Sequence, residues 1–267
     1  MKKAGKAEAG KAEAGKGREN AKSSFGQDLR EGAQYFLRRK PLLYLVLLFT
    51  FMNFALGFNM TLGQPYILSM GTKQQLGFLQ ALFGGGMVLG GLLMATLKMK
   101  SGYVRMVLLG NLGVGVTIAI AGLSRDLRVI GLAWLATGLL IPVVNATVVS
   151  LLQLRTGPGY LGRVFSFSRM LAWIFLPVGQ ILAGQLADRS VQAGFPARSG
   201  SWLAPLFASG KQGSYGMLLA FTGLFIILAV IGFGLLKPVY ELEGDRASLV
   251  RDGASAERNR ASAEEAG

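Results

Sequence analysis

The sequence predicts an all-α integral membrane fold of six transmembrane helices, and three observations carry that expectation. Of its 267 residues 51% are hydrophobic and only 16% are charged, whereas a soluble domain carries roughly 25% charged residues. The apolar residues gather in six runs of about 20, the length a helix needs to cross ~30 Å of hydrocarbon. The charges collect in the two tails and in the short gaps between the runs.

Residues 1–23 are of low complexity, with the pentad KAEAG repeated at 6–10 and 11–15. They hold too little apolar bulk to bury, which makes them a disordered basic tail or linker. No apolar stretch follows that would make them a secretory signal. In residues 24–40, Ser24 and Gln27 have the spacing of a capping box. Phe25, Leu29, Phe36 and Leu37 then fall near one helical face, with Arg30, Arg38, Arg39 and Lys40 in reach of headgroups. That pattern is an amphipathic juxtamembrane helix lying on the inner membrane surface.

Residues 41–237 form the transmembrane domain. Pro41 suits the first turn of the first span. The spans are read at 41–62, 76–97, 104–123, 129–151, 164–187 and 215–236, and residues 238–267 as a disordered cytoplasmic tail. No span carries a charge at its centre. Arg169 comes nearest, about one turn inside span five, where it can snorkel. Twenty-two of the 28 Lys and Arg residues lie on the side of the two tails. Because cytoplasmic loops carry the excess of positive charge, both termini are expected in the cytoplasm of a multi-pass plasma-membrane protein. The connection 188–214 is then the long external one. Its Trp202, Leu203, Leu206 and Phe207 form either a flap on the headgroups or a plug against the bundle.

The net charge of +14 would suggest nucleic acid if it covered a soluble face. Beside apolar spans the fitting partner is instead a bilayer with anionic headgroups. The chain has no Cys and no His, which excludes thiolate chemistry, Cys-ligated zinc, Ser–His catalysis and His proton relays. No phosphate-binding G-x-x-x-x-G-K-[ST] loop is present. No enzyme activity, cofactor or metal is expected.

Within the spans, Gly86 and Gly90 form a GxxxG pair, Gly91 with Ala95 a second small-residue pair, and Gly179 with Ala183 a third. In lipid no hydrophobic force joins helices, so close approach across small residues does much of that work. These pairs fit packing either inside the bundle or against a second six-helix unit. Span four carries Pro142, which kinks a helix, then Asn145, Thr147, Ser150 and Gln153; span one carries Asn53 and Asn59, with Gln64 and Pro65 at its outer end. Amides at this depth need partners or water. They either bond between helices or line a path, with Asn53, Asn59, Asn145 and Gln153 as its candidate residues. No Asp, Glu or His lies near any span's centre, so a proton-coupling group, if transport is proton-coupled, is not in this chain.

Several segments together resemble one family. QDLREGAQYFLRRKPLLYLVLLFTFMNF, LGFLQALFGGGMVLGGLL and LLQLRTGPGYLGRVFSFSRMLAWIFLPVGQILAGQLADR resemble the C-terminal half of major facilitator superfamily permeases, nearest to the macrolide-efflux-type drug:proton antiporters. The resemblance covers about residues 24–245, and LGRVFS at 161–166 is its most specific piece. GLLMATLKMKSGYVR resembles the superfamily's cytoplasmic loop motif without its acidic residue.

The resemblance implies a 3+3 inverted-repeat bundle, half of a twelve-helix transporter that carries amphipathic small molecules between its halves. It implies that spans one and four line the cavity, that two and five contact the other half, and that three and six face lipid. Asn53, Asn59 and Asn145 become cavity groups, and Arg163 and Arg169 cytoplasmic gate or headgroup contacts. Gly86, Gly90, Pro142 and Gly179 become packing or gating positions. The stretch before span one matches what would be the central linker, so the first half is expected from a separate chain, from a second copy, or not at all. A non-transporting scaffold or relic of such a transporter is the alternative reading.

Overall fold

The structure is a computed structural model that describes residues 34, 36–97, 101–156, 161–194, 206–208, 210–236 and 240. Six long helices account for nearly all of it: α1 (Lys40–Leu68), α2 (Lys73–Thr96), α3 (Tyr103–Leu123), α4 (Leu127–Arg155), α5 (Leu161–Gln192) and α6 (Gly210–Gly234). All six are long and apolar enough to cross a membrane. The bundle has a near end, with Lys40, Arg155 and Leu161, and a far end, with Leu68, Lys73 and Gln192.

Most of the helices overrun the spans read from hydropathy, because hydropathy marks only the segment that lipid must cover. Polar caps set several true ends. Thr72 and Gln75 form a reciprocal capping box at the start of α2, and Asp126 accepts the Arg128 N–H at the start of α4. Pro65, read at the outer end of span one, sits inside the last turn of α1. Pro142 lies within α4 and Pro177 within α5. The tails, most of the stretch 24–40, Trp202, Leu203 and the side chain of Arg163 lie outside the described residues. Phe36 is fully buried, its ring 5.6 Å from that of Phe167, while Leu37 is exposed.

The packing order is not the chain order. The close pairs are α2 with α4, α1 with α5, α3 with α6, α3 with α4 and α1 with α6, whereas α1 barely touches α2 and α4 barely touches α5. This pattern maps onto itself when α1, α2 and α3 are exchanged for α4, α5 and α6. Glycines show the equivalence atom by atom. A Cβ on Gly86 would strike the Leu135 carbonyl of α4, and one on Gly179 the Phe54 carbonyl of α1. Likewise a Cβ on Gly138 would strike the Phe83 carbonyl, and one on Gly57 the Leu176 carbonyl. At the centre, Gly115 packs on Gly223, and Gly122 on Gly216, across α3 and α6. Since α4 runs opposite to α1, the two triplets are related as an inverted repeat.

The small-residue pairs therefore do their work inside the bundle. Gly86 and Gly90 are buried against α4, and Ala183 beside Gly179 is fully buried. Gly91 differs, because nothing approaches within 4 Å of where its side chain would be. The Tyr66 hydroxyl fastens the far end by donating to the carbonyls of Ser124 and Gly122. At the near end Arg39 Nη1 donates to the Arg155 carbonyl at 3.2 Å.

Candidate functional site

One flank of the bundle carries a groove made of two pockets, each of about 460 Å³. That is within the roughly 300–1,000 Å³ of small-molecule sites. Leu56, Ile118 and Ile141 line both, so the pockets are two chambers of one depression along α1, α3 and α4. α2 walls the far chamber through Gln80, Phe83 and Met87; α5 walls the near chamber through Arg169, Ala172, Trp173 and Leu176. The spacing explains the walls: positions 169, 172, 173 and 176 form one face of a 3.6-residue helix, as do 49, 52, 53 and 56 on α1.

The chambers obey the same internal exchange as the helices. Gln64 of α1 in the far chamber corresponds to Asn145 of α4 in the near one, Gln80 of α2 to Trp173 of α5, and Phe83 to Leu176. The correspondence breaks at Arg169, whose counterpart on α2 is Leu76, a partly buried residue packed on the apolar core.

Asn53 and Asn145, on separate spans, meet in the near chamber, and the structure adds Asn111 of α3 beside them. Asn53 Nδ2 donates to the Phe49 carbonyl and Asn111 Nδ2 to the Val107 carbonyl, both at 2.8 Å. One N–H of each amide is thereby occupied and the amide oxygens stay available to the groove. Asn59 lines the far chamber with Gln64, Gln80 and Thr137. Thr137 is tied to Thr117 of α3 at 2.7 Å. Gln153 is exposed near the end of α4 and lies outside both chambers. Thr147 turns away from the groove, its buried hydroxyl donating to the Val143 carbonyl.

α5 begins at Leu161, so at 1.5 Å per residue Arg169 lies about 12 Å along the helix. Asn111 is about 12 Å, Asn145 about 15 Å and Asn53 about 20 Å from the near ends of their own helices by the same rise. The four polar groups thus share one layer between the near end and mid-bundle. Hydropathy alone gave no sign of Asn111 in this layer, although a lone amide in an otherwise apolar span is such a signal.

The sequence comparisons agree in direction with this architecture. The chain is 26% identical over 173 residues to macrolide efflux protein A of Streptococcus pyogenes, and equally to that of S. pyogenes serotype M6. The match covers 62% of this chain and 42% of each relative, so the chain spans less than half the length of the curated relatives it matches. No protein-family model matches it. The six apolar helices and this similarity make it a multi-pass membrane protein related to an efflux protein.

Proposed function

We propose that the chain is one half of a secondary active transporter of the drug-efflux type, belonging to the major facilitator superfamily. It moves amphipathic small molecules across the plasma membrane by alternating access once paired with a second six-helix half. The observation that carries this reading is the groove: two equivalent chambers, amide-lined at membrane depth, open along a flank that α2 and α5 border without packing on one another. Amides at this depth are costly unless they meet water or ligand, and the similarity to macrolide efflux protein A supports efflux as the direction.

In this reading both termini are cytoplasmic, the near end faces the cytoplasm, and the exposed faces of α2 and α5 meet the partner half. Parallel repeats related by an axis along the membrane normal allow a second unit of the same orientation to dock. The test is drug accumulation in cells co-expressing this chain with matching six-helix halves. Lower accumulation only when both are present is expected. Unchanged accumulation with every matching half, including a second copy, would favour the non-transporting scaffold.

A further inference from the structure

We propose that the near chamber is a carboxylate-binding subsite, in which Arg169 and Asn145 receive the anionic group of an amphipathic ligand. Its apolar body would lie along Leu56 and Ile141 toward the far chamber.

Three observations carry this. First, Arg169 lines the near chamber, and among the described residues it has no hydrogen bond or ion pair. The carboxylates among the described residues are Asp126 and Asp188, both toward the far end. Asp188 is nineteen residues further along the same helix, about 28 Å away at 1.5 Å per residue. Arg169 is exposed along this chamber rather than packed away, and a charged side chain within an apolar span is normally paired. Second, the fold does not require a charge there. The equivalent position on the other triplet is Leu76, which packs on the apolar core while the rest of the helix pairing is preserved. The charge is thus an addition to one chamber of a symmetric groove. Third, a further donor lines the same chamber. Asn145 carries no hydrogen bond among the described residues, so its whole NH2 group is available beside the five N–H donors of a guanidinium. A guanidinium fork matches a carboxylate in two parallel bonds, and Trp173, one turn along the same face, offers a stacking surface for an aromatic body.

The far chamber, with Gln64 and Gln80 in corresponding places and no charge, makes the groove polar at both ends and cationic at one. A ligand with an acid at one end and an apolar body therefore has one preferred direction in it.

The inference deepens the transporter reading by naming the group recognised. Its test needs only the chain itself, so failure of the subsite and failure of transport are separable. The purified full-length chain in zwitterionic-lipid nanodiscs is titrated at pH 7 with 4-(1-pyrenyl)butanoate and, separately, its methyl ester, following energy transfer from tryptophan to pyrene. The acid is expected to bind about tenfold more tightly than the ester, as one charge-assisted pair in a partly open groove supplies. Arg169→Gln is expected to abolish the preference and Arg169→Lys to retain part of it, with size-exclusion profiles unchanged. Equal binding of acid and ester by the unmodified chain would overturn the subsite, without reliance on any variant. So would an Arg169→Gln protein that keeps the full preference.

Discussion

Gly86→Ala isolates the helix contact on which α2 depends. The buried positions of α2 are Leu79, Gly86 and Gly90, so its attachment rests on a narrow seam with α4. A methyl group at Gly86 would run into the Leu135 carbonyl and come within 3.0 Å of the Leu139 nitrogen and 3.2 Å of the Gly138 carbonyl carbon. These are backbone atoms of a helix and cannot rotate aside, so the two helices must part. Overpacking of this kind costs about 1–3 kcal/mol. Alanine also gains about 1 kcal/mol of helix propensity over glycine, which clouds a single variant. Gly85→Ala removes that ambiguity, because nothing lies within 4 Å of its added methyl group. The propensity gain cancels in the difference, leaving about 1–3 kcal/mol, or roughly 5- to 150-fold in the unfolding equilibrium constant, at Gly86 alone. The measurement is unfolding by sodium dodecyl sulfate in mixed micelles, followed by circular dichroism. Internal symmetry requires the same gap between Gly179→Ala, whose methyl would meet the Phe54 carbonyl, and Gly184→Ala, which meets nothing. Coincident curves for Gly86→Ala and Gly85→Ala would refute the seam.

Other consequences are as direct. Asn145→Leu is expected to change stability by less than about 1 kcal/mol, since Asn145 is exposed and has no hydrogen bond among the described residues to lose. On the proposed half-transporter reading it should nevertheless reduce efflux several-fold when co-expressed with a matching half at normal abundance; unaltered efflux would remove the residue from the path. Tyr66→Phe deletes the donor that joins α1 to the carbonyls of Ser124 and Gly122. It should cost about 1–2 kcal/mol in the same unfolding assay, and a null result would dismiss the far-end clasp. Because the chain has no Cys, Ser69→Cys at the far end and Ser101→Cys at the near end give clean reporters of orientation. A membrane-impermeant maleimide should label position 69 in intact cells and position 101 only after permeabilisation. The reverse pattern would invert the topology.

The spans were legible because twenty apolar residues have few other uses, and the number six follows from counting them. The inward packing of Gly86, Gly90 and Gly179 was half legible. Small spacing announces close approach, but not which helix approaches. What could not be read was how each helix is rotated about its axis. Lipid is as apolar as the bundle's interior, so α3 carries no polar face to separate its buried side from its exposed one. The same blindness hid the company kept by Arg169. A basic residue a little inside an apolar run looks like a snorkelling one, and only the chamber walls show that it lines the groove together with Asn53 and Asn145. Gln153 differs again: it follows Asn145 by two turns yet is exposed and lines neither chamber.

The crossed pairing of the helices has a consequence for how the protein is made. α2 finds its main partner in α4, and α5 finds its own in α1. When the ribosome has delivered only the first three helices, α2 is left without its principal neighbour and Gly86 and Gly90 face lipid. Assembly must wait for the fourth helix to thread in, and the first helix must hold a vacant flank until the fifth arrives. A translational pause or premature stop between α3 and α4 would thus strand a fragment that inserts in the bilayer but does not close, a natural target for membrane proteases.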